Sequence, residues 1–226
     1  VRRYVRQMGA VIWKDLLVEF RTRERLLAMG AFVVLVGILF HYGLDRSTVR
    51  AQDLAPGIIW LTIVFAGLLG LGRTFQIEEE EGAIHGLMTS PIPRDALFLG
   101  KVVGNYLLLV AVTAGVVAVF WLFFDLRIQG SGWILAGVLG LGVLGFVAVG
   151  TLFSAVTAHS SMGESLLPIL TFPVLVPVVV FGTTATARVM GGRPLAEVEG
   201  NLKMLAAFAL LSLAAGGVLF RFVVEE

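Results

Sequence analysis

The sequence predicts an all-α protein that crosses a lipid bilayer six times. Three observations carry that expectation. The chain of 226 residues is 58% hydrophobic, with a mean hydropathy of +0.92. Only 15% of its residues are charged, less than a soluble domain of this size keeps. Its apolar residues also gather into six stretches of about 20, the length a helix needs to cross roughly 30 Å of hydrocarbon. Membrane-spanning strands would be about half as long and would alternate apolar with polar residues.

Residues 1–25 come before the first span and have an amphipathic pattern. Val5, Met8, Ile12, Trp13, Leu16, Leu17 and Phe20 fall on one helical face, with Arg3, Gln7, Lys14 and Arg21 on the other. That pattern fits a helix lying in the headgroup plane, tryptophan at the interface and arginines toward anionic lipid. A helix packed on a partner is the alternative. The spans are then expected at about 26–44, 54–72, 102–124, 133–157, 163–182 and 202–220, forming one transmembrane domain. The polar stretch before Leu26 is too long for the n-region of a cleavable signal peptide, so none is expected. The chain begins with valine, for which a GTG start codon read literally is the expectation and a trimmed N-terminus the alternative.

Lysine and arginine set the orientation. With the N-terminus inside, eleven of them lie in inner segments and six in outer ones, the largest group at the N-terminus. Both termini are therefore expected in the cytoplasm.

Two glycine patterns invite a nucleotide-site reading, and neither fits one. Gly67-Leu-Leu-Gly-Leu-Gly72-Arg73-Thr74 approaches a phosphate-binding loop but has Arg73 where the lysine belongs. Gly140-Leu-Gly142-Val-Leu-Gly145 has the spacing of a dinucleotide fingerprint. Both lie within unbroken apolar stretches, with no room for a strand and a turn, so close helix packing is expected instead. The chain has no cysteine, which excludes disulfides, thiol nucleophiles and thiolate ligands. His41, His85 and His159 show no metal-ligand spacing. No catalytic, cofactor-binding or metal-binding residue is expected.

Charge within the spans is nearly absent, with only Glu164 near the start of one. Ion-coupled carriers need intramembrane carboxylates or histidines, so energy is expected to reach this protein from outside the membrane. The fifth span holds Pro168, Pro173 and Pro177, each of which removes a backbone donor. A bent helix lining a cavity or gate, with a candidate break at these prolines, is one expectation, and an ordinary kinked packing helix the other.

The segment between the second and third spans is the exception to this apolar background. Residues 73–93 contain four consecutive glutamates, Glu78 to Glu81, and end in Ser90-Pro91-Ile92-Pro93. A single carboxylate at the bilayer centre costs about 2.5–3.5 kcal/mol, so this run must lie in water. A short helix from about Glu78 to Met88 is expected, with its glutamates in the first turn and Ile77, Ile84, Leu87 and Met88 as its apolar set. The orientation places segment 73–101 in the cytoplasm, where it can meet a soluble partner.

Here the sequence resembles a family, the B subunit of the cytochrome c maturation system, a haem exporter protein with the character of an ABC transporter permease. The resemblance rests on Arg73, Phe75, Glu78 to Glu81, Gly82, Leu87, Ser90, Pro91 and Pro93, on the proline-rich stretch from Pro168 to Gly182, and on Trp13-Lys14-Asp15-Leu16 followed by Arg21 to Leu27. The family's usual Asp-Gly-Ser and Glu-Gln-Leu are Glu81-Gly82-Ala83 and His85-Gly86-Leu87 here.

The resemblance implies a six-span fold of the ABC-2 type and a non-catalytic role in the bacterial plasma membrane. Two copies would pair with two cytoplasmic ATPase subunits, which bind the ATP. A haem-handling membrane subunit and a small single-span subunit would join them, and ATP hydrolysis would drive release of a haem-loaded periplasmic chaperone. Segment 73–101 would hold a coupling helix, with Phe75, Glu78, Glu79, Glu80, Glu81, Gly82, Leu87, Ser90, Pro91 and Pro93 at the ATPase contact. Haem would be cargo of the complex. Two other functions share the six-span pattern: a generic exporter permease for a lipid, drug or glycan, and a membrane scaffold or channel without an ATPase.

Overall fold

The computed structural model describes residues 2–44, 50–80, 92–124, 126, 128–158, 160 and 163–224, with the backbone alone at 51, 76–80, 163–164 and 224. All regular structure among these residues is helical: α1 (Arg2–Thr22), α2 (Glu24–Gly43), α3 (Ala51–Glu80), α4 (Arg94–Phe124), α5 (Gly132–Ala158), α6 (Gly163–Met190) and α7 (Leu195–Val224). The six from α2 to α7 are long and apolar enough to cross a membrane. They match the six expected spans, and most run beyond the apolar stretch. α4, with 31 residues, is about 46 Å long, which leaves its ends outside a core of roughly 30 Å.

α5 sits at the centre, packed against α3, α4, α6 and α7. Its glycines explain how four helices reach it. Trp60 of α3 is fully buried, and its ring lies directly against Gly142 of α5. A Cβ added at Gly182 of α6 would lie 2.5 Å from the same indole. The indole Nε1 donates to Thr186 Oγ1 at 2.9 Å, which satisfies the one polar atom of the ring. A Cβ added at Gly145 would lie 2.7 Å from Phe208 of α7. The dinucleotide-like spacing is therefore a packing surface inside a continuous helix. So is the phosphate-loop-like one: Gly67 lies against Phe146, and a Cβ added at Gly70 would lie 2.7 Å from the Met29 sulfur.

This packing makes a first prediction. Gly142→Val forces two methyl groups into the space of the Trp60 ring and should destabilise the chain by about 1–3 kcal/mol. A lowered unfolding midpoint in detergent checks it. Gly137→Val on the same helix, where a Cβ meets nothing within 4 Å, is the control and should leave the midpoint unchanged.

The proline-bearing helix corrects one expectation. Pro168, Pro173 and Pro177 all lie inside α6, which stays helical from Gly163 to Met190, so none of them breaks it. The reason lies in where they fall. Leu167, Thr171, Leu175, Val178 and Ala185 form the buried stripe of α6, while Pro173 is exposed and Pro168 and Pro177 are half-buried. The prolines thus remove backbone hydrogen bonds away from the packed face, which holds the helix in place. Pro168 and Phe172 line one wall of an open cleft of about 790 Å³ between α2, α3 and α6.

Exposed aromatic side chains mark both ends of the bundle. Trp13 lies at the α1 end, and Tyr42, Trp121 and Trp133 at the opposite end. Such girdles sit at headgroup level, and the 20 residues from Lys101 to Trp121 rise about 30 Å. At the far end a ring nitrogen of His41 on α2, Nδ1, lies 2.8 Å from the Phe123 carbonyl oxygen on α4. His85 and His159 lie outside the described residues.

Candidate functional site

The described residues of segment 73–101 gather at the α1 end. There the C-terminal part of α3 meets the start of α4 and the whole length of α1. The helix expected from Glu78 to Met88 is different in its first part. Glu78, Glu79 and Glu80 belong to α3, which runs unbroken from Ala51 to Glu80. No proline or glycine interrupts Arg73 to Gln76, and the bundle grips Thr74 and Phe75, so the helix continues past the apolar stretch. The three glutamates therefore continue a helix that comes from the membrane span and do not begin one of their own. Glu81, Gly82, Leu87, Ser90 and Pro91 lie outside the described residues. Pro93 is exposed and comes just before α4, and its carbonyl accepts from Leu97 N at 3.0 Å.

Phe75 faces inward and is buried. Its ring centroid lies 5.8 Å from that of Phe220 on α7, which lies 5.4 Å from Phe98 on α4. These three rings tie α3, α4 and α7 together.

Beside them lies a buried polar network. Lys101 of α4 is 2% exposed, and its Nζ lies 3.2 Å from Asp15 Oδ2 of α1. The same ammonium donates to the Thr74 carbonyl at 3.4 Å and stands 5.0 Å from the centre of the Phe75 ring. One helical turn further into the bundle, Asn105 donates to Thr151 Oγ1 at 3.1 Å and to Thr74 Oγ1 at 3.2 Å. Arg25 of α2 donates to Asn105 Oδ1 at 3.4 Å and to Glu19 Oε2 at 2.6 Å. Ser154 Oγ donates to the Leu71 carbonyl at 2.7 Å. One connected set thus touches α1, α2, α3, α4 and α5.

α1 owes its position to this set. It lies along α4 and barely touches α2, its neighbour in sequence. The turn between α1 and α2 is the single residue Arg23, in the left-handed region at φ 58°. No side chain at Arg23 caps α2; Glu19 does so instead, accepting from Leu26 N at 2.9 Å. At the other end of α1, Tyr4 Oη donates to Asp95 Oδ2 at 3.1 Å. Burial, then the bond to Asp95 and its charge, raise the Tyr4 phenol above its ordinary pKa. Val5, Trp13, Leu17 and Phe20 remain exposed on the outer side, which suits a helix lying at the interface.

Sequence reasoning did not find Asp15, Glu19, Arg25 or Lys101. Asp15 and Glu19 stand four apart on the face of Met8 and Val11, and that register was the available signal. Arg25 and Lys101 each lie one residue outside an expected span, Arg25 in the expected interfacial helix and Lys101 in the expected cytoplasmic segment. An exposed ion pair, Arg73 to Glu24 at 3.0 Å, lies at the rim of the α2–α3–α6 cleft.

Comparisons with known proteins agree with this architecture. The family described as CcmB protein matches residues 6–222. A heme exporter protein B of Paracoccus denitrificans is 30% identical over 207 residues, covering 92% of this chain and 93% of that protein. One from Rhodobacter capsulatus is 29% identical over the same shares of both chains. One from Escherichia coli K12 is 29% identical over 197 residues, with 85% of this chain and 86% of that protein covered. A match from residue 6 to residue 222 takes in α1, all six long apolar helices and the network that joins them, and the chain belongs to the CcmB protein family.

Proposed function

We propose that this chain is the non-catalytic membrane subunit of an ABC-type haem export complex that serves cytochrome c maturation. The observation that carries the reading is the family match over residues 6–222, together with relatives named heme exporter protein B along almost their whole length. ATP is bound and hydrolysed by a separate cytoplasmic subunit, and two copies of each form the core. A haem-handling membrane subunit, a small single-span subunit and a periplasmic haem chaperone complete the assembly. Haem is cargo and has no resident site in this chain. The protein lies in the bacterial inner membrane with both termini in the cytoplasm, as the lysine and arginine distribution favours.

In this reading the end of α3 is the coupling element. Glu78, Glu79, Glu80, Glu81, Gly82, Leu87, Ser90, Pro91 and Pro93 form the surface offered to the ATPase. Phe75 supports it from within, since its ring is committed to Phe220 and Lys101. A rigid helix is a good transmitter: a push on its end moves Thr74 and Phe75, and with them the packed bundle.

Deleting the gene and staining membranes for covalently bound haem tests the assignment. c-type cytochromes should lose their haem, and a plasmid copy should restore it. Retained haem-stained bands in the deletion strain would remove the proposal. Copurification of a P-loop ATPase with the tagged chain is the second expected result.

A further inference from the structure

We propose that Lys101 is a positioning residue that passes movement of the α3 end to α1, through one ammonium group bonded to both helices. The inference rests on the coupling role given above to the end of α3.

The geometry is specific to a primary ammonium. Lysine offers three donors on a compact head. One reaches Asp15 on α1, and another reaches the Thr74 carbonyl one turn before Glu78. The charge also faces the Phe75 ring. Lys101 thus grips α3 by its backbone, at the residues that lead directly into the glutamate run. It holds α1 by the charge of Asp15, which sits at 12% exposure between Lys101 and Lys14.

α1 is tied to the start of α2 as well, by the buried Glu19–Arg25 pair, so a pull at Asp15 is passed on through the whole helix. Its covalent link to α2 is one residue, Arg23, and its packing is almost all on α4. A buried ion pair is a poor way to gain stability, because apolar residues of the same volume usually do as well or better. A charge retained at 2% exposure, and shared between two elements that a partner would displace, fits a junction better than a mere anchor.

The test uses the whole complex in membranes, with Lys101→Met, Lys101→Arg and the swap Asp15→Lys/Lys101→Asp. The swap restores an opposite-charge pair between α1 and α4. It does not restore the bond to α3, because a carboxylate at 101 only accepts and would face the Thr74 carbonyl. Three readouts are taken: chain level in membranes, copurified ATPase and haem-stained c-type cytochromes.

The swap should keep wild-type chain and ATPase levels, yet lower haem staining by about tenfold or more, the factor a lost charge-assisted hydrogen bond corresponds to. Lys101→Met should show the same loss of staining, and Lys101→Arg partial recovery. Normal staining in the swap or in Lys101→Met would overturn the inference. So would absence of all three variants from membranes, which would make Lys101 a folding residue only.

A variant with Glu78 to Glu81 replaced by lysine, run in parallel, separates the two levels. Normal staining in that variant refutes the coupling reading and this inference with it. Loss there, with normal staining in Lys101→Met, refutes the inference alone.

Discussion

Replacing Glu78, Glu79, Glu80 and Glu81 together by lysine should abolish holo-cytochrome c production while the chain still inserts. Four charges of −1 become four of +1, a change of eight units at one end of α3. Like charges set against each other at a protein contact cost several kcal/mol. At 1.4 kcal/mol per tenfold, the contact should weaken at least a hundredfold or so. Added positive charge on the inner side reinforces the orientation. Wild-type chain levels in membranes, with haem-stained bands gone and the ATPase no longer copurifying, are the expected results. Normal cytochrome c levels would show that the acidic run carries no coupling.

That prediction depends on a point that sequence alone placed only in part. The run of glutamates and the Ser-Pro-x-Pro stop were visible at once, because charge and proline are the strongest breaks in an apolar sequence. Whether a helix began at Glu78 or ran into it from the preceding span was not visible. The glutamates favour a helix start by their dipole, and that reasoning gave the expected short helix. The structure shows the competing effect: Phe75, Thr74 and Leu71 are fixed by Phe220, Asn105, Lys101 and Ser154, so α3 persists through residues with no strong preference of their own. Tertiary contacts of this kind join residues 31 and 83 positions apart, beyond the reach of a local pattern.

The six spans were legible for a simpler reason. Lipid demands length and apolarity, and both can be counted. Glycine positions within α3 and α5 were readable as packing, though not as the seat of Trp60 in particular. The prolines of α6 misled in one respect, because their cost depends on which face they occupy and on what clamps the helix, and neither shows in the sequence. Buried charge was the largest omission. A charged residue at the edge of an apolar stretch reads as a boundary marker, yet Arg25 and Lys101 turn inward to meet carboxylates from α1.

Glu19 is where that omission should matter most for stability. Glu19 is 2% exposed and Arg25 8%, with 2.6 Å between carboxylate and guanidinium. Glu19→Ala removes the counter-charge and also the cap at Leu26 N, and leaves Arg25 with Asn105 at 3.4 Å. Removing one partner of a buried pair costs about 3–5 kcal/mol, and losing a cap adds about 1 kcal/mol. Against a total stability of about 5–15 kcal/mol, that should strip most of the chain from membranes at growth temperature. Replacing both partners is different. Glu19→Gln/Arg25→Met keeps an acceptor for Leu26 N and removes both charges, so it should lie within about 1–2 kcal/mol of wild type. The exposed pair Arg73–Glu24, at 51% and 63% exposure, provides the contrast: Glu24→Gln should cost under about 1 kcal/mol. Unfolding midpoints in detergent for the single and double variants measure the coupling directly. A Glu19→Ala midpoint no lower than that of Glu24→Gln would mean that water reaches the Glu19–Arg25 pair, and that α1 is not held as tightly as its contacts suggest.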